Sequence, residues 1–272
     1  MTRIASTFER LKSEGSGAFI PYVCAGDPDA SFTVDLVSSL CGAGADLVEL
    51  GVPFSDPVAD GPVIQGAMAR SLSGGFKVSQ TFELVTELRS RGLEQPLIIM
   101  SYYNPILKFG PAEFCAGLRS SGADGLLVVD LPIEESMEID KSAAANGLDV
   151  IRLIAPTTDE KRLATVLSKG SGFVYVVSVA GTTGARRSLP NSTKELLGRV
   201  CSKTHLPVAL GFGVSAPEHV SGAIRAGASG VIEGSKLVSL YAEHLGDRRN
   251  ALANVERHVR EMKSAARRAR PK

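Results

Sequence analysis

The sequence predicts an α/β protein whose parallel strands close into a single (β/α)8 TIM barrel, and three observations predict it. First, a helix-like segment ending in glycine and followed by a short apolar or β-branched run recurs along the chain, in CGAGADLVEL, SSGADGLLVVD, AANGLDVIRLIAP, SKGSGFVYVVS and RAGASGVIEGS. Glycine after a helix supplies the left-handed cap, and an apolar run without alternation is a strand buried on both faces. Second, the spacing of these units is roughly 25–35 residues, and eight of them fill 272 residues, the size of such a barrel. Third, no linker or composition shift divides the chain, so one domain over 1–272 is expected. An open doubly wound sheet is the alternative. It would want a G-x-G-x-x-G turn after its first strand, and residues 24–29, CAGDPD, do not supply one.

The elements follow in order. Residues 1–15, MTRIASTFERLKSEG, read as an extra amphipathic helix with Ile4, Phe8 and Leu11 on one face. AFIPYVCAG is the first strand, ending near Gly26. The second ends near Gly51, and a long turn-rich segment separates it from the next helix. FKVSQTFELVTELRSRG is helical and leads to the third strand, PLIIMSYY, ending near Tyr103. After the helix GPAEFCAGLRSSG, the fourth strand ends near Asp130 and the fifth near Pro156. After DEKRLATVLSKG, the sixth ends near Val179. LPVALGFG is the seventh, to Gly213, and the eighth ends near Gly234, with a short helix beginning at Ser235. Residues 263–272, KSAARRARPK, read as a basic, solvated tail.

Composition excludes several classes. Hydrophobic residues make up 44% of the chain and the formal charge is +1, so there is material for a large core and no support for a nucleic-acid or membrane partner. The cysteines at 24, 41, 115 and 201 have no paired spacing for a metal site or a disulfide framework. The N-terminus lacks a signal-peptide core and contains acids that a transit peptide avoids. A reducing cytoplasm, or a plastid stroma, is the expected setting. No apolar run is long enough to span a bilayer.

In such barrels the chemistry sits at the carboxyl ends of the strands. Three glycine-containing turns converge there: AGTTGARRSLP, ALGFGVSAPEHV and VIEGSKLV. Glycines such as Gly213 and Gly234 let backbone N–H groups approach an anion, and Ser235 opens a helix, whose N-terminus attracts negative charge. A phosphorylated small substrate is expected, although tight βα turns explain the same glycines. Glu233 would repel a phosphate unless strand alternation turns it outward, and Lys236 would offset it.

The segment DLVELGVPFSDPVADGP, residues 46–62, places Glu49 in an apolar strand and carries Asp56 and Asp60 over the mouth. Burial raises a carboxyl group toward the range of a working general base. For Glu49 the plainer reading is an ion-paired strand acid; for Asp60, a solvated loop acid or helix cap. Asp56 suits a turn, and Asp130 reads as structural. No strand carries the lysine of a Schiff-base aldolase, and the four histidines are scattered. Carbon–carbon or proton-transfer chemistry here would run on carboxylates. Tyr22, Met100, Leu127, Val129, Ile154, Tyr175, Phe212 and Ile232 are placed to face inward near the strand tops. Most such residues pack a core, but they also suit a flat apolar substrate.

The strings PYVCAGDPD, DLVELGVPFSDPVADGPVIQ, YYNPIL, VVDLP, APTT, YVVSVAGTTGAR, GFGVS and EGS, in this order, resemble the alpha subunits of tryptophan synthase over roughly residues 18–240. The resemblance implies a lyase that cleaves indole-3-glycerol phosphate to indole and glyceraldehyde 3-phosphate with no cofactor of its own. It also implies a pyridoxal phosphate-dependent beta subunit, in an alpha2beta2 heterotetramer, that joins indole to serine. By motif, Glu49 is then the general base on the glycerol hydroxyl, Asp60 holds the indole N–H, and Tyr175 sits beside Glu49. Gly184, Gly213, Gly234 and Ser235 hold the phosphate, and Thr183 closes its loop onto Asp60. Asp56, Pro57 and Asn104 become candidate contacts with the beta subunit. Cys24 stands where threonine is common in the family and Thr182 where valine is; Glu233 and Lys236 replace smaller residues. A stand-alone lyase releasing free indole, and a weakly catalytic partner-activating subunit, are the alternatives.

Overall fold

The computed structural model describes residues 1–178 and 189–269. Its elements are α1 (Arg3–Ser13), β1 (Ala18–Cys24), α2 (Ala30–Ala43), β2 (Val48–Gly51), α3 (Pro62–Ser73), α4 (Gln80–Ser90), β3 (Leu97–Ser101), α5 (Tyr103–Phe109), α6 (Pro111–Ser121), β4 (Gly125–Val128), α7 (Met137–Ala145), β5 (Asp149–Val150), β6 (Arg152–Ile154), α8 (Glu160–Lys169), β7 (Val174–Val177), α9 (Asn191–Cys201), β8 (Val208–Gly211), α10 (Pro217–Arg225), β9 (Gly230–Glu233), α11 (Ser235–Ala242) and α12 (Arg248–Arg268).

The strands pair in parallel in the order β5-β4-β3-β2-β1-β9-β8-β7-β6. β5 and β6 flank Ile151 and are two halves of the expected fifth strand. One half pairs with β4 and the other with β7, so the ring closes there and the eightfold barrel is complete. The expected helix–glycine–strand units are present: Gly44 at φ +114° and Gly122 at φ +97° end α2 and α6 in the left-handed region that glycine enters without strain. Two helix starts are capped by acids, Phe32 and Arg162 donating backbone N–H bonds to Asp29 (2.9 Å) and Asp159 (2.8 Å).

α1 plugs the amino-terminal end of the barrel. Ile4, Phe8 and Leu11 are buried, and the Phe8 ring lies 5.7 Å from that of Phe173. The strand interiors are filled mainly by apolar side chains, and the clefts beside Glu49 lie at the carboxyl ends of the strands. Among the described residues no helix is long and apolar enough to cross a membrane.

The basic C-terminal segment departs from expectation. Residues 263–268 continue α12, and Lys263, Ala265, Ala266 and Ala269 are buried. The Lys263 ammonium reaches under the barrel to Asp46 (2.7 Å) and the carbonyl of Gly17 (2.9 Å). A charge run gives no sign of which lysine has an acid waiting for it across 217 residues of sequence.

Candidate active site

Glu49 stands on β2 with its side chain inside the barrel and is 3% exposed. Its register partners, Tyr22 on β1 and Ile98 on β3, share the inward face. Burial raises its pKa to about 8, and the charge of Asp60 adds to the shift. A carboxyl group there gives up and takes back a proton near neutrality.

Asp60 comes from the loop between β2 and α3. Two consecutive turns build that loop, Val58 N–H donating to Asp56 O (2.9 Å) and Asp60 N–H to Pro57 O (3.0 Å). They bring Asp60 back over the mouth, half-buried. Burial raises its pKa, and a hydrogen bond from the Tyr102 hydroxyl, 2.6 Å to Oδ2, pulls it down.

Two tyrosines flank Glu49, each seated over a glycine. A Cβ at Gly51 would lie 2.2 Å from Tyr22 Oη, and one at Gly211 would lie 2.2 Å from Tyr175 Oη. Tyr175, on β7, feels both Glu49 and Asp60, and burial pushes its phenol well above its ordinary value.

Glu49, Asp60, Met100, Tyr175 and Phe212 form the wall shared by two chambers. The larger, about 540 Å³, extends past Leu127 and Val129 toward Leu153. The smaller, about 180 Å³, runs past Tyr22 and Ile232 to Gly213, Ser215, Gly234, Ser235 and Lys236. Its far end combines a positive-φ glycine, Gly213 at φ +73°, with the N-terminus of α11, where backbone N–H groups lack helical partners. Phe212 is itself at φ +65°, a strained position that turns a 41% exposed ring into the mouth.

Ile154 is a correction to the inward list. The register pairs Leu153 with Tyr175 and Ile154 with Val176, so Leu153 faces the chamber and Ile154 packs behind the strand. A one-residue slip in a strand exchanges its two faces, and an all-apolar run gives no sign of which is which.

Glu233 is turned outward and fully buried. His258 of α12 meets its carboxylate at 2.8 Å, and it does not point at the chamber. Asp130 has the structural role read from its sequence, accepting the Tyr103 N–H (2.7 Å) at the start of α5.

Asp56 and Asn104 are exposed on neighbouring loops, but Pro57 is buried. Val58, 84% exposed, projects in its place. Thr183 and Gly184 lie outside the described residues.

Sequence reasoning missed Tyr102, Ser215 and Leu153. Tyr102 stands in the YYNPIL string, but nothing in that string distinguishes which tyrosine turns inward.

A family model for the tryptophan synthase alpha chain matches residues 8–267. The chain belongs to the tryptophan synthase alpha chain family. Tryptophan synthase alpha chains of Carboxydothermus hydrogenoformans and Methanosarcina acetivorans are each 45% identical to it. The alignments cover 98% and 96% of this chain and 100% and 93% of theirs. The crystal structure of tryptophan synthase subunit alpha from Legionella pneumophila superposes with a TM-score of 0.90 at 34% identity, covering 98% of both chains. A chain of the tryptophan synthase a2b2 complex from Pyrococcus furiosus gives 0.85 at 42% identity, covering 91% of this chain and 98% of that one. Within the family's barrel, this chain's Glu49 and Asp60 share one cleft with the glycine-lined end beside Ser235.

Proposed function

We propose that this chain is the alpha subunit of a tryptophan synthase and cleaves indole-3-glycerol phosphate to indole and glyceraldehyde 3-phosphate. The observation that carries this is the buried Glu49, with a pKa raised to about 8, facing Asp60 across a cleft that leads to the glycine- and Ser235-lined end.

The chemistry needs only groups of this kind. The phosphate docks at Gly213, Gly234, Ser235 and the α11 N-terminus, and Gly184 belongs to the same proposed set. The indole lies between Met100, Leu127, Val129 and Phe212, with Tyr22 and Ile232 toward the phosphate. Glu49 removes the proton from the hydroxyl on the adjacent glycerol carbon. The proton that Glu49 takes from the glycerol side chain is passed to indole C3, making an indolenium whose ring nitrogen becomes the electron sink. The C3–carbon bond then breaks, its electron pair restores the indole ring, and the former carbinol carbon leaves as the aldehyde. Atoms balance with no water consumed. Asp60 accepts the ring N–H and stabilises the positive charge as it develops. Tyr175 packs against Glu49 and keeps the site apolar, and Thr183 is proposed to close over Asp60 and exclude water.

The exposed Asp56, Val58 and Asn104 are proposed to meet the beta subunit in an alpha2beta2 assembly in the cytoplasm. There pyridoxal phosphate, bound by the partner, would serve the joining of indole to serine.

The test is turnover of indole-3-glycerol phosphate by the chain alone and with an added tryptophan synthase beta subunit. Slow cleavage that rises with the partner is expected. Fast cleavage unchanged by the partner would mean a free-indole lyase, and partner activation with no cleavage would mean a purely regulatory subunit.

A further inference from the structure

We propose that Tyr102 is a positioning residue for this cleavage: its hydroxyl holds one oxygen of Asp60 and leaves the other for the ring nitrogen of the substrate. The proposal rests on the function assigned above and names the group that makes Asp60 competent for it.

A tyrosine hydroxyl has one proton to give and lone pairs to receive. Tyr102 uses both on one short stretch of loop. It donates to Asp60 Oδ2 at 2.6 Å and accepts the backbone N–H of Ala59 at 3.0 Å. Two bonds from one oxygen to adjacent residues fix both the backbone and the side chain of the loop at that point. Among the described residues Tyr102 is the only hydrogen-bond partner of the Asp60 carboxylate, and Oδ1 is left without one.

The anchor itself is rigid. Tyr102 follows directly on β3 and precedes the first residue of α5. It is 1% exposed, with its ring 5.2 Å from that of Phe54. Asp60 sits on a loop, beside the exposed Val58 and Ala59. Positioning a catalytic carboxylate within a fraction of an ångström requires such a support, because a loop alone does not hold it.

The electrostatics have the same sense. A donor to the carboxylate favours its ionised form, and it opposes the effect of burial on Asp60. An ionised Asp60 is what a developing ring cation needs. Among the described residues, the acids around the pair are Glu49 on β2, Tyr22 and Cys24 on β1, Tyr175 on β7 and Asp130 after β4, while Lys236, Arg152 and Arg162 line the chambers that Asp60 shares. Burial is what raises the Asp60 pKa, and the Tyr102 hydroxyl is the group that opposes it.

The experiment uses Tyr102→Phe, which keeps the ring against Phe54, in the full chain with its beta subunit. The expected result is a fall in kcat of about 10- to 100-fold with KM within about threefold. Carboxyl carbon NMR should show the Asp60 titration moved to higher pH in the variant. The variant is also combined with Asp60→Asn. If Tyr102 acts through Asp60, its loss costs no further activity in that background, whereas a merely structural effect multiplies with it. A variant with wild-type kcat, an unmoved Asp60 titration, or additive losses would overturn the proposal. If the wild-type chain cleaves nothing, alone or with partner, the assigned function fails and this proposal fails with it. If wild type is active and Tyr102→Phe is equally active, only this proposal fails.

Discussion

Glu233 ends β9 one residue before Gly234, yet its carboxylate turns away from the mouth and meets His258 of α12 at 2.8 Å. Strand alternation accounts for the direction, since Ile232 takes the inward face. The consequence is that an acid adjacent in sequence to the proposed phosphate site is withdrawn from it and held from behind by His258. Burial raises the Glu233 pKa and His258 pulls it down. His258→Ala is therefore expected to leave a buried carboxylate without its partner and to cost about 3 kcal/mol. Urea unfolding at pH 7 measures this, and adding Glu233→Gln should return most of the loss.

A second buried pair ties the same helix to the other end of the barrel. Lys263 and Asp46 have side chains 5% and 6% exposed and lie 2.7 Å apart. Lys263→Met is expected to destabilise by about 3 kcal/mol, because Asp46 stays behind. Were the segment a solvated tail, thermal melting of this variant would match wild type.

Glu49 governs two pH dependences with defined signs. As the proposed base Glu49 must be ionised, so kcat/KM of the free enzyme is expected to rise with pH through a midpoint near 8. Glu49→Gln is expected to lower kcat by about 10²- to 10⁴-fold with the fold intact. For stability, a carboxyl group raised from 4.5 to about 8 binds its proton more tightly in the folded state. Its contribution is fully present below pH 4.5 and is lost as pH rises through 8. Glu49→Gln should then melt higher than wild type at pH 9 and much closer to it at pH 4. Equal melting differences at both pH values would mean that Glu49 is not buried in the ionised enzyme.

The glycine beneath Tyr22 is expected to be a specificity element. A Cβ at Gly51 would come within 2.2 Å of Tyr22 Oη and 2.6 Å of its ring, so Gly51→Ala must push the ring into the smaller chamber. Overpacking of this kind costs about 1–3 kcal/mol. Because Tyr22 and Glu49 are register partners, KM should rise together with the loss of kcat. Gly51→Ala/Tyr22→Leu, which makes room, should recover stability, and calorimetry of both variants checks it.

The barrel was legible because its signals are local. Glycine after each helix and an apolar run after each glycine report on a few neighbouring residues. Glu49 was legible for a related reason, since a lone acid in an apolar strand conflicts with its surroundings and draws attention to itself. The family strings implied roles that no local pattern contains, such as the one proposed for Asp60. Ile154, Pro57 and the 263–268 segment were misread. An all-apolar strand does not declare its faces, a proline in a turn does not declare its packing, and a run of lysine and arginine looks solvated until a distant acid is placed beside it.

The sequence by itself determined the strand count, the helix ends, the inventory of acids and the absence of a strand lysine, because each depends on residue type and short-range spacing. Tertiary structure decided which side chains meet: Tyr102 with Asp60 across 42 positions, Glu233 with His258 across 25 and Asp46 with Lys263 across 217. The physical reason is that pKa, burial and hydrogen-bond commitment belong to the space around a group, and only the closed barrel brings those distant residues into that space.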